Sequence, residues 1–140
     1  KVWADKAVQA DKVVASGSIA LDVAASVVQV GLSFTHKLKT LKIEGGNAAG
    51  TSVGRTKRIN GLTFVLLNSH TIEYGPDNSV ALDKNDFREV SDAMDSATPL
   101  FTGELFVEFE GNWETDPRVY VESDDPAPFN ALKYHPKRVQ

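Results

Sequence analysis

Carboxylates are the side chains here best placed, by type and spacing, to do chemistry. Glu104, Glu108 and Glu110 share one short alternating stretch, and Asp124-Asp125 sit just past another. Glycoside cleavage needs two such groups held ~5–10 Å apart, one of them with a raised pKa. The same alternation is also the pattern of a solvated strand face. A second set, Arg55-Thr56-Lys57-Arg58, could grip a phosphate backbone. Few aromatics lie beside it, so base stacking is not expected and a salt-bridge or intersubunit role is the stronger reading. His36, His70 and His135 are scattered, without the His-x-x-x-His spacing of a helical metal site. The stretch Gly45-Gly46-Asn47-Ala48-Ala49-Gly50-Thr51-Ser52 imitates a phosphate loop but has Thr51 where the lysine belongs, and reads as a loop between strands. Asp83-Lys84-Asn85-Asp86 lacks the glycine and the terminal glutamate of a calcium loop. No Gly-x-Ser-x-Gly elbow is present, and the absence of cysteine excludes thiolate chemistry, disulfides and cysteine-held metals. The expectation is a protein with no catalytic residue, no cofactor and no metal.

Composition narrows the class. The chain has 140 residues, 41% of them hydrophobic and 24% charged, which suits a single domain over residues 1–140. No apolar run approaches the ~18 residues of a membrane helix, and the hydrophobic fraction is too high for disorder. A net charge of −4 argues against a dedicated nucleic-acid binder. The chain starts at Lys1 without a leader pattern, so it is expected to be a processed product or part of something longer. That small net charge hides two opposed blocks. Residues 36–58 hold six bases against one acid, and residues 77–125 hold fourteen acids against three bases. Such blocks suit two faces of one domain, or contact between a basic and an acidic surface.

The elements that must position these residues read as strands. Ile19, Leu21 and Val23 alternate, as do Val28, Val30, Leu32 and Phe34. Leu41 and Ile43 suggest a short strand entering the glycine-rich loop. Leu62-Thr63-Phe64-Val65-Leu66-Leu67 is apolar on both faces, as a central buried strand would be. Leu105, Val107 and Phe109 face away from Glu104, Glu108 and Glu110, and with Val119 and Val121 predict a long-tipped hairpin. Phe129–Tyr134 reads as the last strand. Helical signals are confined to Ala24-Ala25 and to Asp83–Val90, where Asp83 could cap a turn or two. Gly75–Thr98 is too polar for core and reads as a long excursion. The expected fold is all-β, an antiparallel β-sandwich or barrel-like domain with long loops and at most one short helix.

Four stretches, in this order, resemble the carboxy-terminal region of the tail nozzle family of short-tailed bacteriophages, the tail tubular protein B or "stabilisation protein" group. They are Val28–Phe34 with Leu38–Leu41; Gly54–Asn60 running into Val65–Ser69; Phe87-Arg88 with Asp92–Asp95 and Pro99–Gly103; and Asp116–Val121 continuing through Asp125–Phe129 to Leu132. Together they cover roughly residues 14 to 132. Two departures stand out. Ser33 replaces a proline usual in the first stretch, and family members are several hundred residues long.

The resemblance implies a structural, non-enzymatic virion component. Copies would form a ring, likened to the hexamers of the family, beside other tail proteins such as the adaptor. The ring would retain packaged DNA and then pass it during ejection; no membrane span is implied. On that reading Arg55, Lys57 and Arg58 are expected to meet Glu89, Asp92 or Asp95 of a neighbouring copy or of the same chain. A lumen-facing part is expected to be acidic, with Glu104, Glu108 and Glu110 as candidates. Two rival readings are a carbohydrate- or host-surface-binding module using Trp113, Tyr120 and Tyr74, and a glycan-cleaving enzyme using the carboxylates.

Overall fold

The computed structural model describes residues 1–47, 50–77 and 82–139. The strands are β1 (Val2–Ala4), β2 (Ala7–Gln9), β3 (Val28–Val30), β4 (His36–Lys39), β5 (Gly46–Asn47), β6 (Gly50–Thr51), β7 (Arg58–Ser69), β8 (Thr71–Gly75), β9 (Asp83–Asp86), β10 (Phe101–Glu108), β11 (Tyr120–Ser123) and β12 (Ala131–Val139). They form sheets of order β2-β1-β3, β10-β7-β12 and β4-β11-β8-β9, plus the ribbon β5-β6. Every pairing is antiparallel. No helix occurs among the described residues, and none is long and apolar enough to cross a membrane. The fold is all-β and sandwich-like, and its sheets do not close into a barrel.

β7 organises the core. Its alternation puts Leu62, Phe64 and Leu66 on one buried face, with Thr63 and Val65 half-buried behind them. At Asn68 the backbone turns left-handed (φ 47°), a conformation asparagine tolerates, and the Asn68 N–H donates to Thr102 Oγ1 at 2.9 Å. Beyond this corner the chain enters the other sheet as β8. Ile72 and Tyr74 of β8, with Val119 and Val121, then pack against Ile59, Leu62, Phe64, Leu66, Val107 and Phe109. A Cβ at Gly111 would lie 2.6 Å from the Ile59 carbonyl oxygen, so the chain passes there only as glycine.

Several local expectations fail for identifiable reasons. Residues 105–109 and 119–121 do not make a hairpin. β10 pairs with β7, whereas β11 pairs with β4 and β8, because residues 109–119 carry the chain from one sheet to the other. Asp83–Val90 forms no capped helix; Asp83–Asp86 takes the free edge of β8 instead, with Tyr74 opposite Asp83. Residues 17–23 are not a strand and hold only the Ala15–Ser18 bridge. Their contacts with β2 run instead through the Gln9 side chain, which donates to the Val23 carbonyl at 3.1 Å and accepts the Asp22 N–H at 3.3 Å, so no backbone ladder forms. The strand expected at Leu41–Ile43 lies earlier, at His36–Lys39. The run 62–67 is interior to its sheet as expected, but Leu67 is exposed, so only one face is core. The last strand extends past Pro136, which an edge strand tolerates. Ala48 and Ala49 of the glycine-rich stretch, and residues 78–81 of the polar excursion, lie outside the described residues.

Candidate functional site

Of the basic run, Lys57 is turned wholly inward, with 0% exposure. Its Nζ donates to the Ile43 carbonyl at 3.1 Å and to Glu44 Oε1 at 3.2 Å. Its backbone exchanges two hydrogen bonds with Glu114, which hold it beneath the connection between the sheets. Desolvation raises the Glu44 carboxyl, but hydrogen bonds from Lys57 and Lys42 outweigh it and leave the group below its ordinary value. Lys57 is therefore tied to its own loop. Arg55 is exposed at a turn, and Arg58 is half-buried with an Nε that finds no partner among the described residues.

The acids expected to meet these bases serve a different loop. Asp92 accepts the Glu89 N–H at 2.8 Å and closes a turn. Arg88 clamps the following segment by donating to the carbonyls of Ala93 and Ser96, at 2.9 and 2.8 Å. Glu89 and Asp95 are exposed. Among the described residues, no ion pair joins Arg55, Lys57 or Arg58 to Glu89, Asp92 or Asp95 within one chain.

The carboxylates expected to work together are separated. Glu104 and Glu108 project from the outer face of β10, and Glu110 lies beyond its end. Asp124 and Asp125 stand across the molecule, where Lys1 reaches Asp124 at 3.2 Å and Thr71 Oγ1 donates to Asp125 at 2.8 Å. Asp125 also lies 3.6 Å from Lys84 Nζ. These two aspartates line an open cleft of about 290 Å³ with Trp3, Phe34 and His36. Trp3 meets His70 edge-on at 5.4 Å. No cluster of three or more histidine, aspartate or glutamate side chains suited to a metal occurs among the described residues.

Of the three aromatics expected to stack on sugars, two belong to the interior. Tyr74 packs on Phe64 and Phe109, and burial pushes its hydroxyl above the usual tyrosine value. Tyr120 is buried and donates to Glu122 at 2.8 Å. Trp113 is exposed.

Sequence reasoning missed the surface that stands out most. Val28, Val30, Leu32 and Phe34 alternate as a strand should, yet all four are exposed, Leu32 to 97%. Val13, Val14 and Leu41 extend the exposed series. On the sandwich, Leu38 of β4 and Leu132 and Tyr134 of β12 border a small apolar opening of about 100 Å³ that reaches Phe64 and Val121. Alternation alone carried no signal of this exposure: Val28–Val30 pair with β1 and still stand in solvent. No family model matches the chain, and no curated protein matches it significantly.

Proposed function

We propose that this protein is a structural, non-enzymatic subunit of a bacteriophage tail, working in the virion as part of the nozzle ring that retains packaged DNA and conducts it out. Its partners on this reading are further copies of itself, six by resemblance, and adjoining tail proteins such as the adaptor, with DNA in transit. The observation that carries the reading is the run of solvent-exposed apolar side chains between Val13 and Leu41. Apolar surface in such quantity marks contact with other protein surfaces. The resemblance of the four ordered stretches supplies the kind of assembly. Light scattering and negative-stain imaging of the purified protein test it. Closed rings with a central channel wide enough for duplex DNA are expected, and a persistent monomer at high concentration would overturn the reading.

A second reading, contact with a host-surface glycan, is favoured by the cleft in which Trp3 and Phe34 lie beside Asp124 and Asp125. Aromatic faces with adjacent carboxylates suit sugar rings and their hydroxyls. A glycan array tests binding, and zymography on cell-wall substrate tests cleavage.

A further inference from the structure

The three-stranded sheet β10-β7-β12 is electrically polarised from edge to edge. Residues directly opposite in a ladder share a face, so its outer face can be read in rows. One row runs Glu104, Val65, Lys133; the next runs Phe106, Thr63, His135; the third runs Glu108, Gly61, Lys137. One edge therefore carries glutamates in the same rows in which the other carries lysines. All four charged side chains are exposed, and none forms an ion pair in its own chain among the described residues. Between the glutamates, the Phe106 ring lies over Gly61 and is largely exposed.

The opposing sheet repeats the polarity. Its edge strand β9 carries Asp83 and Asp86 against the single base Lys84, which pairs with Glu73 and Asp125, and its other edge strand β4 carries Lys39 and Lys37, the latter paired with Glu122 at 3.5 Å. Phe87 stacks on Phe101 at 4.7 Å, which joins the end of β9 to the start of β10. Leu38 of β4 and Tyr134 of β12 line a common opening. The sandwich thus has one acidic side, β9 with β10, and one basic side, β4 with β12.

We propose that copies of this protein join side to side, with β10 of one copy against β12 of the next. The proposal deepens the reading of a self-assembling subunit by assigning the contact, and it rests on the charge rows rather than on the resemblance. β10 and β12 both run antiparallel to β7, so they are parallel to each other. A copy displaced sideways sets them together in register, one strand spacing of ~4.8 Å apart. Lys133 then faces Glu104, Lys137 faces Glu108, and Phe106 meets His135. Phe109 donates its N–H to the Asn60 carbonyl on β7. Alternation therefore turns the backbone groups of Glu104, Phe106 and Glu108 outward to a newcomer. Pro136 withholds one donor, so the join depends on the side-chain rows more than on an unbroken ladder. The contact is heterologous, as rings and open filaments require. Charges on an edge can also serve to repel further strands. That role needs no opposite signs in matching rows, whereas assembly does. The pairing also removes Glu104 and Glu108 from the carboxylates free to line a channel.

Charge exchange tests this on the whole chain by sedimentation velocity. The unaltered protein is expected to self-associate, less so as salt rises. Glu104→Lys with Glu108→Lys makes both edges basic, and Lys133→Glu with Lys137→Glu makes both acidic. Each double variant is expected to lose at least about tenfold in self-association, while circular dichroism shows the fold retained. An equimolar mixture of the two should associate again, and the quadruple variant should self-associate. Carbodiimide should also cross-link Glu104 to Lys133 between copies and give a covalent dimer on a denaturing gel, which a link across β7 within one chain would not. A monomeric protein, variants that associate as the parent does, or a mixture that stays apart would overturn the proposal. Rings unaffected by the exchanges would overturn this contact and leave the ring reading standing. Open filaments abolished by the exchanges would do the reverse.

Discussion

The sandwich and the segment before it carry the same sequence pattern and treat it in opposite ways. In β7 the alternating Leu62, Phe64 and Leu66 are buried to the last few per cent, whereas the alternating Val28, Val30, Leu32 and Phe34 stand in solvent. The period-two spacing of the apolar residues does not separate the two stretches, although 62–67 is the more apolar on its second face. What separates them is a neighbour. β7 has β10 and β12 on its edges and a second sheet over its face, while β3 is an edge strand with no sheet above it among the described residues. Period-two alternation therefore states a capacity to be buried, and the partner decides whether it is used.

Truncation measures that difference most directly. Phe64→Ala should cost about 4 kcal/mol in denaturant unfolding, because it removes a buried ring and leaves a cavity between two sheets. Leu32→Ser should change stability by less than about 0.5 kcal/mol in the same experiment. Equal losses would erase the distinction between the regions.

Lys57→Ala should come next, at about 3 kcal/mol. It strips Glu44 and the Ile43 carbonyl of a buried partner and leaves a hole under the connection between the sheets. A loss near zero in thermal or denaturant unfolding would mean that Lys57 adds nothing to the sandwich.

The smallest effect is local and depends on pH. Asp5 accepts hydrogen bonds from the N–H groups of Ser26 and Val27, both at 2.8 Å, and these hold its carboxyl below the ordinary value of 3.8. A depressed folded-state pKa means that the carboxylate stabilises this tie above the unfolded value. The contribution disappears as pH falls through the lower folded value. Amide exchange at Ser26 and Val27 should accelerate in acid before that of the core strands, and Asp5→Asn should remove most of that pH dependence. Uniform acceleration across the chain would show that the segment and the sandwich open together.

Alternating apolar residues at 62–67 and at 105–109 marked two strands of the core and the outward face of the glutamates. The tight Asp5-Lys6 turn, at φ 45° and 68°, carries no glycine or asparagine to announce it. The partners of β10 and β11 were misread because the connection from Phe109 to Val119 looks, in one dimension, like a long hairpin tip. Lys57 was legible as a base but not as a buried one. Its neighbours Arg55 and Arg58 have the same chemistry, and it is the backbone bridge to Glu114 with the Nζ bonds to Ile43 and Glu44 that holds Lys57 inward. Likewise Tyr74 and Tyr120 are aromatic residues of the surface type until β8 and β11 place them in the interior.

By itself the sequence determined the all-β class, the alternation within each strand, and two opposed blocks of charge, because these depend on residue type and on a backbone period of two. The tertiary structure alone decided which strands are neighbours, which lysine is buried, and that glutamates and lysines occupy the same rows on opposite edges of one sheet. Register and edge position arise from pairings between residues far apart in the chain, and local propensity does not encode them.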